Sequence, residues 1–472
     1  MRWHHPRSAS AALLVSLGMA LGFAVPAARA ADLTFGTPSA SAVFGTGVTF
    51  VQPVSTAASI QRAELLITFP TALGPVVHEM AAPAGIGTVT LRGGWSETDD
   101  GHLVPNTPLV ARWRVTPAGG EPVEGPSISV LYADTRFAWK TISGPIVRLH
   151  WYDGSDAFAR QALAVGEKGV QQAADLLGVQ ETEPIDFFVY ASQAPFYDAL
   201  GPGTRENVGG EAHPDIRTMF ALIEPGAVGD SWVSVVIPHE LTHLVFDTAV
   251  RNPYHFPPRW LNEGLAVYLS EGYTASWRAD VTQAVGQHSL LSLEGLSGQF
   301  PTSADEFSLA YGESVSAIDF FVRTYGKDRL VALIRSYAAG RTDDEAFTDA
   351  IGVNVAGFES AWLADLGATA PVRYGPQPAP TGPLPPGWAA APDAAAGVAA
   401  TGPGIGTSGA SSAADLGSGA PAAGSGSASD GLVLVAIVAV GLVTGGLLGY
   451  LRRRRLLRAR DGHAVGPPEV GP

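Results

Sequence analysis

The sequence predicts a multidomain chain: an N-terminal all-β sandwich, an α+β domain, a disordered tether and one transmembrane helix. Three observations carry this. Apolar and polar residues alternate with period two over residues 31–143, between Gly/Pro-rich turns. Over residues 144–370, short β-branched and aromatic runs give way to longer stretches of helical period. Beyond them, Pro371–Asp430 is dominated by Ala, Gly, Pro and Ser, with almost nothing to bury, and leads into an uncharged run, Gly431–Leu451.

The two ends set the topology. Residues 1–30 open with Arg2, His4, His5 and Arg7, continue through an apolar run from Ala11 to Val25, and end in Ala28-Arg29-Ala30. This is the pattern of a secretory signal peptide, with cleavage expected after Ala30. Gly431–Leu451 would measure about 30 Å as a helix, enough to span a bilayer. Six arginines between Arg452 and Arg460 follow at once, so the tail 452–472 is expected inside the cell and everything before Gly431 outside. The tether 371–430 then gives the folded part an r.m.s. reach of roughly 40–45 Å above the membrane. Alanine, glycine and arginine are abundant and lysines number three (Lys140, Lys168, Lys327), which points to GC-rich bacterial coding.

Charge and cysteine content exclude several classes. The chain has no cysteine, so it has no disulfide scaffold, thiolate metal site or cysteine nucleophile. Its net charge is −15. The signal holds three basic residues and the tail six basic and two acidic, leaving 20 basic and 42 acidic residues outside, a net −22. Such a surface repels nucleic acid and favours neutral or cationic substrates.

In residues 31–143, Leu109, Ala111, Trp113 and Val115 alternate with Val110, Arg112 and Arg114, and Ser127-Ile128-Ser129-Val130 repeats the pattern. Short strands at this spacing predict an immunoglobulin-like sandwich. It contains no catalytic constellation; His78, Glu79 and His102 are expected at turns or on the surface.

In residues 144–370, Val147, Leu149 and Trp151 alternate as a strand. Asp156 is placed to cap a helix running to Leu177, with Gly178 as its stop. Pro184–Tyr190 and Thr218–Ile223 are expected strands, and Trp232–Ile237 begins another helix. That helix carries His239-Glu240-Leu241-Thr242-His243. Histidines at i and i+4 share a helix face and can reach one metal ion, while Glu240 is turned aside by about 100°. A second helix follows through Trp260-Leu261-Asn262-Glu263-Gly264-Leu265-Ala266 and is expected to end near Gly272. Glu263 completes a two-histidine, one-carboxylate zinc site that leaves a fourth position to water.

HExxH followed by a glutamate after 19 intervening residues (Leu244–Asn262) resembles the gluzincins, the thermolysin-like and aminopeptidase-like zinc peptidases. The His239–His243 motif followed by Asp247 is similar to the thermolysin version, and Trp260–Ala266 to the aminopeptidase version. Together they resemble the bacterial peptidase MA-like metallohydrolases over roughly Asp134–Gly367. The resemblance implies a zincin catalytic domain with one zinc per chain, ligands His239, His243 and Glu263, and Glu240 as general base. Thermolysin has an aspartate four residues after the ligand glutamate, orienting a histidine; this chain has Val267.

The chemistry follows from these parts. Zinc there would acidify a water to a pKa of about 7, and Glu240 is expected to take that water's proton and pass it to the leaving amine. A strand edge at Thr218–Ile223 is expected to hold an extended peptide. Tyr311, in Leu309–Ser314, is the candidate donor to the oxyanion, just ahead of an apolar helix Ile318–Tyr325; packing at that helix start is its other role. His213, His255 and His288 are weaker candidates. Lys327–Tyr337, a capping box at Thr342-Asp343-Asp344-Glu345 and the stripe Phe358, Trp362, Leu366 complete a helical lobe.

The expected function is a membrane-anchored extracellular zinc peptidase acting on peptides or proteins, with no nucleic-acid partner. The rival is a non-catalytic surface binding protein with a structural or degenerate zinc site, and a zinc hydrolase of non-peptide bonds stands as a third reading. The topology has a direct test. A protease added outside intact cells should release a fragment ending within Pro371–Asp430, where nothing is folded. An ectodomain shielded from it would overturn both the signal and the orientation.

Overall fold

The structure is a computed structural model and describes residues 33–202, 209–252, 254–371 and 438–440. The expected signal 1–30, the tether after Pro371 and the tail 452–472 lie outside the described residues. So does the expected span 431–451, apart from Val438–Val440, which form a short strand where a helix was expected, antiparallel to Gly210–Ala212. Among the described residues no helix is long and apolar enough to cross a membrane. The chain divides into two compact units at Ala138/Trp139, with Tyr197–Pro202 grouped with the first.

The first unit is a two-sheet sandwich. One sheet holds β1 (Leu33–Phe35), β2 (Ser39–Val43), β3 (Gly47–Thr56) and β6 (Gly87–Ser96), with β3 pairing all three others. The other holds β4 (Ile60–Thr68), β5 (Val76–Met80), β7 (Thr107–Pro117), β8 (Val123–Glu124) and β9 (Ile128–Tyr132). All pairings are antiparallel. The alternation read from the sequence is the burial pattern: Leu109, Ala111, Trp113 and Val115 face a core shared with Val48, Phe50, Leu91 and Trp95 of the opposite sheet. His78 and His102 are half-buried within this unit, beside Asp100 and Glu97.

The second unit begins earlier than the expected boundary at 143/144. Lys140–Ser143 (β10) pairs with β11 (Val147–Trp151), so the hairpin carries it into this unit. The sheet runs β10-β11-β12-β14-β13-β15, where β12 is Ile185–Tyr190, β13 Gly210–His213, β14 Thr218–Leu222 and β15 Val438–Val440. β11, β12 and β14 are parallel; β10, β13 and β15 are antiparallel additions. β12 is buried on both faces except at Phe188, as a central parallel strand should be. On one face Leu149, Phe187, Met219 and Ala212 join the helical core; on the other, Phe188 stacks between His150 and Phe220.

α1 (Asp156–Leu177) packs against that core. Ser155, rather than Asp156, is its N-cap, accepting from Phe158 N–H, and Gly178 closes it in the left-handed region. α2 (Gln193–Leu200) and β13 were not foreseen from sequence. α3 (Val233–Val250) is buried almost all round, and Thr242 Oγ donates to the Pro238 carbonyl inside it. α4 (Arg259–Ser270) crosses α6 (Ala304–Tyr325) at Gly264, where a Cβ would stand 2.5 Å from the Ser314 carbonyl oxygen. Only glycine lets the two backbones approach this closely. α6 starts at Ala304, about four turns before the expected Ile318, with Asp305 and Glu306 in its first turn, so Tyr311 lies inside the helix rather than ahead of it. α5 (Ala275–Gln287), α7 (Lys327–Ser336), α8 (Asp343–Ile351) and α9 (Val355–Asp365) complete the lobe, and Thr342 with Glu345 forms the expected capping box.

The start of α4 is capped from outside. Arg259 N–H donates to the Ser297 carbonyl and Trp260 N–H to that of Leu296, satisfying two amides left over at the helix N-terminus. The segment supplying these carbonyls is pinned by two buried carboxylates: Glu313 accepts from Leu291 N–H at 3.0 Å and Glu359 from Leu293 N–H at 2.8 Å. Burial, and secondarily the Glu359 carboxylate, hold Glu313 well above the usual carboxylate range against the pull of the Leu291 amide. A group raised on folding adds stability that is present below its unfolded pKa, near 4.5, and lost as pH rises through the folded value. Glu313→Gln keeps an acceptor for Leu291 without the charge. Its Tm relative to the parent should therefore improve steadily between pH 5 and 8; a difference independent of pH would show that Glu313 carries no such penalty.

Candidate metal centre

Two helices bring the three expected ligands together. His239 and His243 lie one turn apart on α3, and Glu263 stands on α4. One ligand atom from each lies within 4.8 Å of the other two. Glu263 Oε2 is 3.6 Å from His239 Nε2 and 3.5 Å from His243 Nε2. His239 and Glu263 are 0% exposed and His243 1%.

Donor atoms buried this deeply normally have partners. Here His239 Nδ1 and Nε2, His243 Nε2 and Glu263 Oε2 have none among the protein groups. Orphaned donors converging from two imidazoles and a carboxylate fit a divalent zinc ion. Their protonation also fits. Burial, opposed by Glu263, brings His243 down to about 4, so its imidazole is neutral at pH 7. Burial would raise Glu263, but His239, His243 and Arg259 outweigh it and hold the carboxylate down at about 2.

The partner that Val267 leaves unsupplied comes from the ligand's own neighbour. His243 Nδ1–H donates to Asn262 Oδ1 at 2.9 Å, leaving Nε2 to face the cluster. Asn262 stands in the motif that gave Glu263, but its role becomes visible only once α3 and α4 are packed. Arg259, one turn before Glu263, was also missed; its Nε donates to Glu263 Oε1 at 3.2 Å. Asp247 does not join the cluster and pairs with Arg251 at 3.5 Å.

Glu240 is 0% exposed, and its carboxyl oxygens have no side-chain partner; the Ala212 amide of β13 is the one backbone group that bears on them. Burial, then the charges of Glu263 and Glu211, push its pKa well above the carboxylate range. β13 passes directly beside it, since a Cβ on Gly210 would stand 2.8 Å from Glu240 Cγ. This corrects the expected peptide edge at Thr218–Ile223: β14 is hydrogen-bonded on both sides, by β12 and β13, and offers no free edge. The strand next to Glu240 is the antiparallel β13.

Tyr311 does reach the centre. It is buried, its ring centroid lies 6.4 Å from that of His239, and its hydroxyl hydrogen-bonds Arg259. Phe300 and Phe307 pack on it edge-on. The weaker histidine candidates do not join. His213 is buried on β13 against Glu211, His255 faces Asp343, and His288 ends α5 in the left-handed region.

Comparison with known proteins agrees with this geometry. The sequence profile of the Peptidase MA superfamily matches residues 165–368. No curated protein matches the chain. Among solved structures, the chain is similar to an aminopeptidase N family protein from Idiomarina loihiensis, with a TM-score of 0.40 and 11% identity over 70% of this chain and 78% of that one. It is also similar to an M1 zinc metallopeptidase from Deinococcus radiodurans, with a TM-score of 0.34 and 14% identity over 76% and 96% of the two chains. Residues 165–368, which hold both histidines, Glu240 and Glu263, thus match the Peptidase MA superfamily.

Proposed function

We propose that this chain is a zinc-dependent peptidase, anchored in the cell membrane with its catalytic domain outside, hydrolysing peptide bonds with Glu240 as general base. The observation that carries the enzymatic part is the buried group of unpartnered donors on His239, His243 and Glu263, with the buried Glu240 carboxyl beside them. A merely structural metal site needs no such base. The anchoring and orientation rest on the apolar run Gly431–Leu451 with its arginine flank and on the N-terminal signal pattern.

His239, His243 and Glu263 would hold the zinc. When bound, zinc supplies a Lewis acid that polarises a carbonyl and makes water more acidic. Glu240 takes the proton of the attacking water, and its raised basicity suits it to hold that proton until the amine departs. Asn262 keeps the His243 ring in the tautomer that leaves Nε2 free. Tyr311, beside His239 and in contact with Arg259, is placed to donate its O–H to the developing oxyanion. Gly210, which has no Cβ, lets β13 pass close to the Glu240 side chain.

Two neighbouring glutamates should fail differently. Glu263→Ala removes one of three ligands and should lose zinc. Glu240→Ala should keep about one zinc per chain and its thermal stability, yet lose about 10²–10⁴-fold in peptide cleavage. Metal analysis, melting curves and a diverse peptide library on the purified proteins separate the two. Cleavage by Glu240→Ala equal to the parent, or a parent that cleaves nothing, would replace the peptidase with the surface binding protein.

Tyr311→Phe isolates the oxyanion donor. It should lower kcat and kcat/KM together by about 10²–10³-fold, with KM and zinc content unchanged. Full turnover would return Tyr311 to packing against Phe300 and Phe307.

A further inference from the structure

The two oxygens of Glu263 have different surroundings. Oε2 lies 3.5–3.6 Å from both histidine Nε2 atoms and has no hydrogen-bond partner. Oε1 accepts from Arg259 Nε at 3.2 Å. Arg259 is itself held: its guanidinium lies 4.8 Å from the Phe300 ring centroid, and it hydrogen-bonds the Tyr311 hydroxyl. One planar cation therefore joins the third ligand to the candidate oxyanion donor, and the capped first turn of α4 fixes where it starts.

We propose that Arg259 is a positioning residue for the metal centre, engaging Glu263 Oε1 so that Oε2 alone is presented to zinc, and placing the Tyr311 hydroxyl by the same guanidinium. The proposal rests on the zinc reading of His239, His243 and Glu263. A carboxylate with both oxygens free can rotate about its last torsion and offer either or both. Tying one oxygen to a rigid donor removes that freedom and selects single-oxygen ligation. The residue type matters, because guanidinium has several N–H donors in a fixed fork and so can serve two acceptors in one geometry. An ammonium is a flexible point charge. An exposed i, i+4 pair contributes only about 0.3–0.5 kcal/mol. Arg259 is 19% exposed and Glu263 0%, so the contact sits in a drier setting, where orientation counts for more. The same positive charge also repels an incoming cation, so the sign of its effect on zinc affinity decides between positioning and simple repulsion.

The test is zinc affinity, measured on the full-length chain by competition with a chromophoric chelator. Supporting partners of metal ligands typically contribute 10–100-fold in affinity, so Arg259→Met should bind zinc about 10–100-fold more weakly than the parent. Arg259→Lys should fall between them, and Tyr311→Phe should bind as the parent does, which assigns the effect to Glu263. With zinc saturating, Arg259→Met should also lower kcat and leave KM nearly unchanged, a split that a loss of packing alone would not give. Should Arg259→Met fail to fold, Arg259→Lys carries the comparison, with an expected loss in affinity at unchanged circular dichroism. Zinc binding in the folded variant equal to or tighter than the parent's overturns the proposal and leaves the zinc site standing. A parent that takes up no zinc overturns both.

Discussion

The second unit is organised around desolvation of three ligand side chains. Two imidazoles and a carboxylate, withdrawn from water and not paired with other protein groups except at Asn262 and Arg259, are costly to bury. Such an arrangement persists only if the rest of the domain holds it. The close crossing of α4 and α6 at Gly264, the nearly all-round burial of α3 and the external cap on α4 all serve that end. The cost is the kind that a metal ion, arriving with its own charge, offsets. Burial also has a chemical result, since the environment that leaves His243 neutral and Glu263 ionised leaves Glu240 with raised basicity. One dry interior thus shifts three ordinary side chains in different ways.

Glu240 and Glu263 stand in opposite electrostatic settings, though both belong to one buried group. Glu263 is kept ionised by His239, His243 and Arg259, whereas Glu240 has neighbouring carboxylates at Glu263 and Glu211 and no cation among the influences on it. The two glutamates therefore diverge in character through their neighbours rather than through burial, which they share.

Much of this was legible in the sequence wherever period and residue type agreed. His239 and His243 four residues apart, the Asn262-Glu263-Gly264 triplet and the Thr342 capping box each bring their own local geometry, and the structure has all three. The sandwich was legible because one face of each strand is wet and the other dry. β13 was not, because Gly210-Glu211-Ala212-His213 has no β-branched or aromatic residue; its extended state comes from pairing with β14. α5 was missed although Trp277, Val281 and Ala284 form a buried stripe, because the residues between them are polar or small. Arg259 and Asn262 stood in plain view, but what they do depends on which neighbours α3, α6 and Phe300 bring to them. No local pattern encodes that.

The segment Leu291–Ser297 ties the metal centre to the far side of the domain. Its carbonyls seat the first turn of the ligand-bearing helix, and its amides are gripped by carboxylates on α6 and α9. The position of Glu263 is therefore set partly by a stretch that contributes no ligand of its own. The ligand-bearing turn thus has a brace built from backbone amides and carbonyls, held in turn by the two carboxylates of α6 and α9.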